Sequence, residues 1–176
     1  MRWMVCVLLA LGVVTAWSQD TGTGKQTREI SKSRSQDMAN AQLLKSSNPD
    51  TLFKPTVGYS QLGEVLAGKT VYIAGQVALD RSGNLVSKDD FRAQVRQVFE
   101  NLKAAVEAAG GDFHSVIKMN YYCAESVDAS QIPVVREIRD KYVDVANPPI
   151  STFVVVKRLV RPEWLIEVEA VAVVKK

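Results

Sequence analysis

Histidine and cysteine are almost missing from this chain: His114 is the single histidine, and Cys6 and Cys123 are the two cysteines. So few nitrogen and sulfur donors give no support for a His/Cys metal site or for a Cys/His nucleophile pair within one chain, and no cofactor is expected. Long apolar runs are missing too. The one extended apolar stretch, Trp3 to Val14, is about a dozen residues, well short of the about 20 needed to cross a bilayer. Nor is there an excess of one charge. Lys and Arg number 22 against 19 Asp and Glu, and setting aside Arg2 with the five basic and four acidic residues of 19–50 leaves 16 against 15. A near-neutral domain lacks the clustered cations on which phosphate-backbone binding depends, so nucleic acid is not an expected partner.

What is present falls into three parts. Arg2, the apolar stretch after it and Ala16-Trp17-Ser18 read as the charged start, hydrophobic segment and small-x-small cleavage site of an export signal, residues 1–18. The mature protein is then expected to begin at Gln19, in a periplasm or outside the cell, with no membrane association after cleavage. Cys123 would be its sole thiol, which excludes an internal disulfide. Residues 19–50 are rich in Ser, Thr, Gln, Asn, Lys and Asp without apolar periodicity, the composition of a disordered tether. Residues 51–176 are long enough for one domain with its own core.

Within that domain, residues 58–66 suggest a weak strand and 70–79 a clear one, ended by the turn cluster Asp80-Arg81-Ser82-Gly83-Asn84. Ser87-Lys88-Asp89-Asp90 offers a helix start. Phe91, Val95, Val98, Leu102, Val106 and Ala109 then recur every three or four residues, up to Gly110-Gly111. Residues 116–124 read as a strand. A shorter helix follows from Ser130 to about Tyr142, with Pro133 in its first turn and Ile132, Val135, Ile138 and Tyr142 as its buried stripe. Two strands, 151–159 and 164–174, close the chain. The order ββαβαββ predicts an α+β two-layer domain, two helices on one face of a mixed sheet, with the other face left for something else to cover.

In the last strand, Leu165-Ile166-Glu167-Val168-Glu169-Ala170-Val171, successive side chains alternate faces, so Glu167 and Glu169 share one side about 6.6 Å apart. Paired carboxylates in so β-prone a run suggest a site or a subunit seam.

Several words in this order resemble the RidA family, also called YjgF or L-PSP, whose members deaminate reactive enamines and imines. Gly58-Tyr59-Ser60-Gln61 is similar to the family's Gly-Pro-Tyr-Ser-Gln without the proline, and Ala74-Gly75-Gln76 to its Ser-Gly-Gln. Gln94 and Asn101-Leu102 fall where its first helix carries Gln and Asn-Leu, and 166–172 resembles its closing Val-Glu-Ile-Glu-Ala-Ile-Ala. The resemblance covers about residues 55–174. It implies a chorismate-mutase-like fold and a homotrimer with ligand clefts between subunits, a partner subunit covering the open sheet face.

It also implies roles. Glu167 matches the carboxylate that positions water, the alternative being a seam carboxylate. Tyr59 matches a tyrosine lining a neighbour's cleft, or packs an interface edge. Gly75, beside Ala74, matches a backbone group that helps hold substrate, or marks a bulge. The family grips its substrate's carboxylate with arginine in Pro-Ala-Arg-Ser/Thr, and here Pro149-Ile150-Ser151-Thr152 puts Ser151 at that position, or Ile150 if the word slips by one residue. A hydroxyl does not replace a bidentate guanidinium, so substrates without a carboxylate are expected to fit better. Lys157, Arg158, Arg161 and Arg136 are the cations available to replace the arginine. Cys123 is either a substrate-binding thiol or a small core residue, and His114 is expected at the surface.

Three functions stay open. The first is an exported hydrolase of small enamines and imines. The second is a non-catalytic small-molecule-binding or chaperone-like trimer of the same fold. The third is an endoribonuclease, against which the neutral surface and single histidine argue.

Overall fold

A computed structural model of the chain describes residues 42–56 and 58–176. The expected signal and residues 19–41 of the expected tether lie outside them. The elements, in chain order, are β1 (Leu44–Ser47), β2 (Leu62–Val65), β3 (Lys69–Gln76), α1 (Phe91–Ala108), β4 (Val116–Ala124), α2 (Pro133–Arg139), β5 (Ile150–Val156) and β6 (Ile166–Val174). β3 to β6 form a mixed sheet in the order β3-β6-β4-β5, with β4 and β5 parallel and the other neighbours antiparallel. This is the expected α+β two-layer arrangement.

The strand β1 corrects the end of the expected tether. Leu44 to Ser47 pair antiparallel with Val65 to Leu62 as a separate two-stranded sheet, and Lys45 lies 3.7 Å from Glu64 across the pair. Its ladder is made by backbone groups to a segment distant in sequence, which a polar composition does not announce.

Helix α1 forms as its periodicity predicts and buries Phe91, Val95, Val98, Phe99, Leu102 and Val106. Its N-cap is Asp90, whose carboxylate accepts from the Ala93 N–H at 2.9 Å. At the other end Gly110 takes φ +89, the Gly110 N–H donates to Glu107 O and the Gly111 N–H to Val106 O. That pair of bonds is a Schellman stop, which needs a residue at ease with positive φ. The second helix starts later than expected. Asp128, not Ser130, caps a 3-10 turn over Ala129–Gln131, and the α-helix begins at Pro133, whose missing N–H is harmless in the first turn.

The core lies between α1, α2 and one sheet face. Ile166, Val168, Ala170 and Ala172 of β6 and Met119, Tyr121 and Cys123 of β4 point into it, and Phe99, Phe113 and Tyr142 pack their rings at 5.2–5.9 Å. On the open face, Tyr72 is 81% exposed.

Two side chains of α1 tie its ends to distant loops. Gln94, fully buried, donates to the carbonyls of Ser87, Lys88 and Glu163 and accepts from the Leu165 N–H. Asn101 donates to the carbonyls of Val77 and Leu79. Replacing Gln94 by Ala strands those backbone groups and opens a cavity. A loss of about 3 kcal/mol of stability is expected, measured by urea unfolding, with the helix content of the folded state unchanged.

Candidate functional site

Strand β6 lies between β3 and β4, so its register decides what its open-face residues meet. Tyr122 stands opposite Glu167, Asn120 opposite Glu169, and Lys118 opposite Val171. The two glutamates do share a face, as strand alternation requires, but their surroundings differ. Glu169 Oε1 accepts from Asn120 Nδ2 at 2.7 Å and from the Tyr122 hydroxyl at 3.1 Å. That hydrogen bond to a carboxylate, with lesser contributions from desolvation and negative charge, raises the Tyr122 pKa. Glu169 is thereby fixed as part of the sheet surface. Glu167 has no hydrogen-bond donor among the described residues and is half-buried.

What Glu167 has instead is Gly75. The β3–β6 ladder slips between Ile73 and Gln76, pairing these with Ala170 and Val168, so Ala74 and Gly75 together oppose Glu169. This is a β-bulge. A Cβ placed on Gly75 would overlap Oε1 of Glu167 and lie 2.8 Å from its Cδ and 2.9 Å from its Cγ. The missing side chain thus makes the space in which the carboxylate rests. Ala74 is exposed next to it, where a shallow depression is lined by Tyr72, Lys118, Asn120 and Glu169.

The remaining expected site residues lie elsewhere. Ser151 pairs with Met119, a core-facing residue, which puts it on the helix side of the sheet. There it lines a groove of about 390 Å³ together with Gly58, Tyr59, Tyr121, Arg136, Arg139 and Phe153. Tyr59 is brought there by its neighbour. The Ser60 hydroxyl donates to the Pro148 carbonyl at 2.7 Å, and the Ser60 N–H to that of Pro149, clamping the Gly58-Tyr59-Ser60 word beside the start of β5. Ser151 and Tyr59 therefore do come together, but two strands away from Glu167 and on the opposite face.

Cys123 belongs to neither place. It is wholly buried in the core, and burial pushes its thiol pKa up to about 11. This corrects its assignment as a substrate-binding residue: its position on β4 points it at the helices. His114, by contrast, is exposed as expected.

The candidate replacement cations separate as well. Lys157 pairs with Glu125 at 2.6 Å, Arg158 donates to the carbonyls of Leu159 and Val160, and Arg161 stacks 5.7 Å above the Trp164 ring. Only Arg136 of the four lines the groove with Ser151. Next to it the structure adds a residue that sequence reading passes over. Arg139 has a side chain only 9% exposed; Nη1 donates to the Gly58 carbonyl, and Nε and Nη2 to Asp140 Oδ1. Its signal was legible, because Arg139 stands four residues after Val135 and three before Tyr142, on the apolar stripe. Tyr121, beside it, has its hydroxyl pKa raised chiefly by burial.

Comparison with known proteins agrees with the fold. The family model described as Endoribonuclease L-PSP matches residues 50–174. A RutC family protein of Pyrococcus horikoshii is 37% identical over 119 residues, 68% of this chain and 89% of its own length. A 2-iminobutanoate/2-iminopropanoate deaminase of Dermatophagoides farinae is 28% identical over 122 residues, 69% of this chain and 90% of its own. Among solved structures, a Rid family protein from Yersinia pestis superposes with TM-score 0.67 at 30% identity, covering 76% of this chain and all of the other. RidA from the Antarctic bacterium Psychrobacter sp. does so with TM-score 0.53 at 32% identity, covering 74% and 99%. The chain belongs to the RidA family, the family also described as L-PSP.

Proposed function

We propose that this chain is an exported hydrolase that deaminates small reactive imines and enamines, working as a homotrimer. The observation that carries the reading is the Glu167 carboxylate. It is half-buried, without a hydrogen-bond donor among the described residues, and seated on the side-chain-free surface of Gly75 at a bulge. A carboxylate so held is available to water, whereas Glu169, two residues on, is engaged by Asn120 and Tyr122.

In the proposed reaction an enamine first tautomerises to its imine. Glu167 accepts a proton from water as the water oxygen bonds to the carbon of the protonated imine, whose C=N π pair moves onto nitrogen, giving a neutral carbinolamine. The proton held by Glu167 then passes to nitrogen, the carboxylate takes the carbinolamine hydroxyl proton as the C–N bond breaks, and that proton leaves with ammonia as ammonium, a ketone or aldehyde remaining. The Gly75 backbone lies close enough to the carboxylate to meet the same ligand.

The homotrimer enters for a geometrical reason. Glu167 and Gly75 on the open face, and Tyr59 and Ser151 on the helix side, cannot close on one small molecule within a chain. A neighbouring copy on the open face brings its own Tyr59 and Ser151 rim to the Glu167 half, and covers Tyr72. Export rests on the sequence of residues 1–18.

Turnover of freshly generated imines by the mature protein tests the reaction. Glu167→Gln should lower kcat by about a hundredfold or more with little change in KM; unchanged turnover would remove Glu167 from the chemistry. Gly75→Ala should displace the flexible carboxylate rather than the backbone. Its cost in stability should be about 1 kcal/mol or less, while kcat falls several-fold. An equal loss in both properties would make Gly75 a folding residue only.

A further inference from the structure

Ser151 stands where the family carries its carboxylate-binding arginine, yet the groove around it holds two guanidinium groups of α2. They are not equivalent. Arg139 is spent on the scaffold: it is buried, and its bonds to the Gly58 carbonyl and to Asp140 hold the loop on which Tyr59 rides. Gly58 takes φ +59 there, and a Cβ on it would lie 3.1 Å from Arg139 Nη1, so loop and guanidinium are fitted to each other.

Arg136 is different. Its Nε lies 3.5 Å from Asp140 Oδ2, and its two terminal amino groups make no hydrogen bond among the described residues. Arg136, Arg139 and Asp140 together carry one net positive charge. The groove they border is walled by Ile132, Val135 and Phe153 and offers the Ser151 and Tyr59 hydroxyls. A planar fork with free N–H groups, beside apolar walls and hydroxyls, fits one carboxylate on a small apolar body.

We propose that Arg136 is the specificity-determining residue of this cleft, gripping the carboxylate of a small imino acid from helix α2 in place of the arginine that β5 lacks. The inference rests on the reading that the cleft serves imine hydrolysis. It reverses the preference for uncharged substrates that the sequence alone suggests. Arg139 acts through Gly58 and Asp140 as a positioning residue, and Ser151 leaves room for a guanidinium that arrives from the other wall.

The test compares two stable carbonyl probes that differ in charge, 2-oxobutanoate and 2-oxobutanamide, by calorimetric titration of the full protein. The wild type should bind the acid at least about tenfold more tightly than the amide, as expected for a charge-assisted pair. Arg136→Gln should reduce that preference to about twofold or less, and Arg136→Lys should keep part of it, since ammonium retains charge but not the fork. Thermal melting should be nearly unchanged in both, because Asp140 keeps Arg139. A preserved preference in Arg136→Gln, equal binding of both probes by the wild type, or binding of neither would overturn the proposal. Turnover of the corresponding imines is measured beside binding. Preference for the acid without turnover would sink the hydrolase reading and leave the grip standing, while turnover with no charge preference would do the reverse.

Discussion

β6 is hydrogen-bonded along both edges, to β3 and to β4, and its alternation is the constraint on which the rest of the structure depends. Ile166, Val168, Ala170 and Ala172 must face the helices, because α1 offers Val95, Val98, Phe99 and Leu102 to bury them. Each apolar pair of this kind is stabilising by roughly 1.5–3 kcal/mol per large side chain removed from water. With that face settled, Glu167 and Glu169 have no choice of side. A one-residue slip of register would put two carboxylates into the core and four apolar residues into solvent, which the energetics of burial forbid.

The bulge in β3 then distinguishes the glutamates. Regular pairing would set a side chain against Glu167; the slip between Ile73 and Gln76 and the glycine at 75 remove it. The neighbouring Asn120–Glu169–Tyr122 cluster has the opposite character, because all three side chains are mutually engaged, although Asn120 Oδ1 remains buried without a donor. One carboxylate is thus held by its sheet and the other left without a donor among the described residues, from two residues that look alike in sequence.

How far the sequence can be read depends on whether a feature is local. The amphipathic stripe of α1 and the alternation of β6 are periodic over many residues, and both were legible. The family words were legible too, but not the work they do. Gln94 and Asn101 act as clamps on carbonyls up to 69 residues away, information that no local pattern contains. Strand β1 was missed because Leu44-Lys45-Ser46-Ser47 gains its order from a backbone ladder with residues 62–65. The face taken by Ser151, and with it the separation of Ser151 from Glu167, follows from the parallel pairing of β5 with β4, which is a property of topology. Cys123 was left between two readings by its sequence and is decided by the side of β4 on which it falls.

The central claim is that the two half-sites of one chain lie on opposite faces and that a working site is completed by two copies. Mixing variants tests this most directly. Glu167→Gln, which loses turnover, and Arg136→Gln, assayed on a carboxylated imine well below saturation so that its weakened grip lowers the rate, would be unfolded, mixed in equal amounts and refolded together. If each site draws Glu167 from one copy and Arg136 from another, random assembly restores intact sites at about a quarter of the wild-type number, with activity to match. A refolded mixture with no more activity than its separate components would contradict the account.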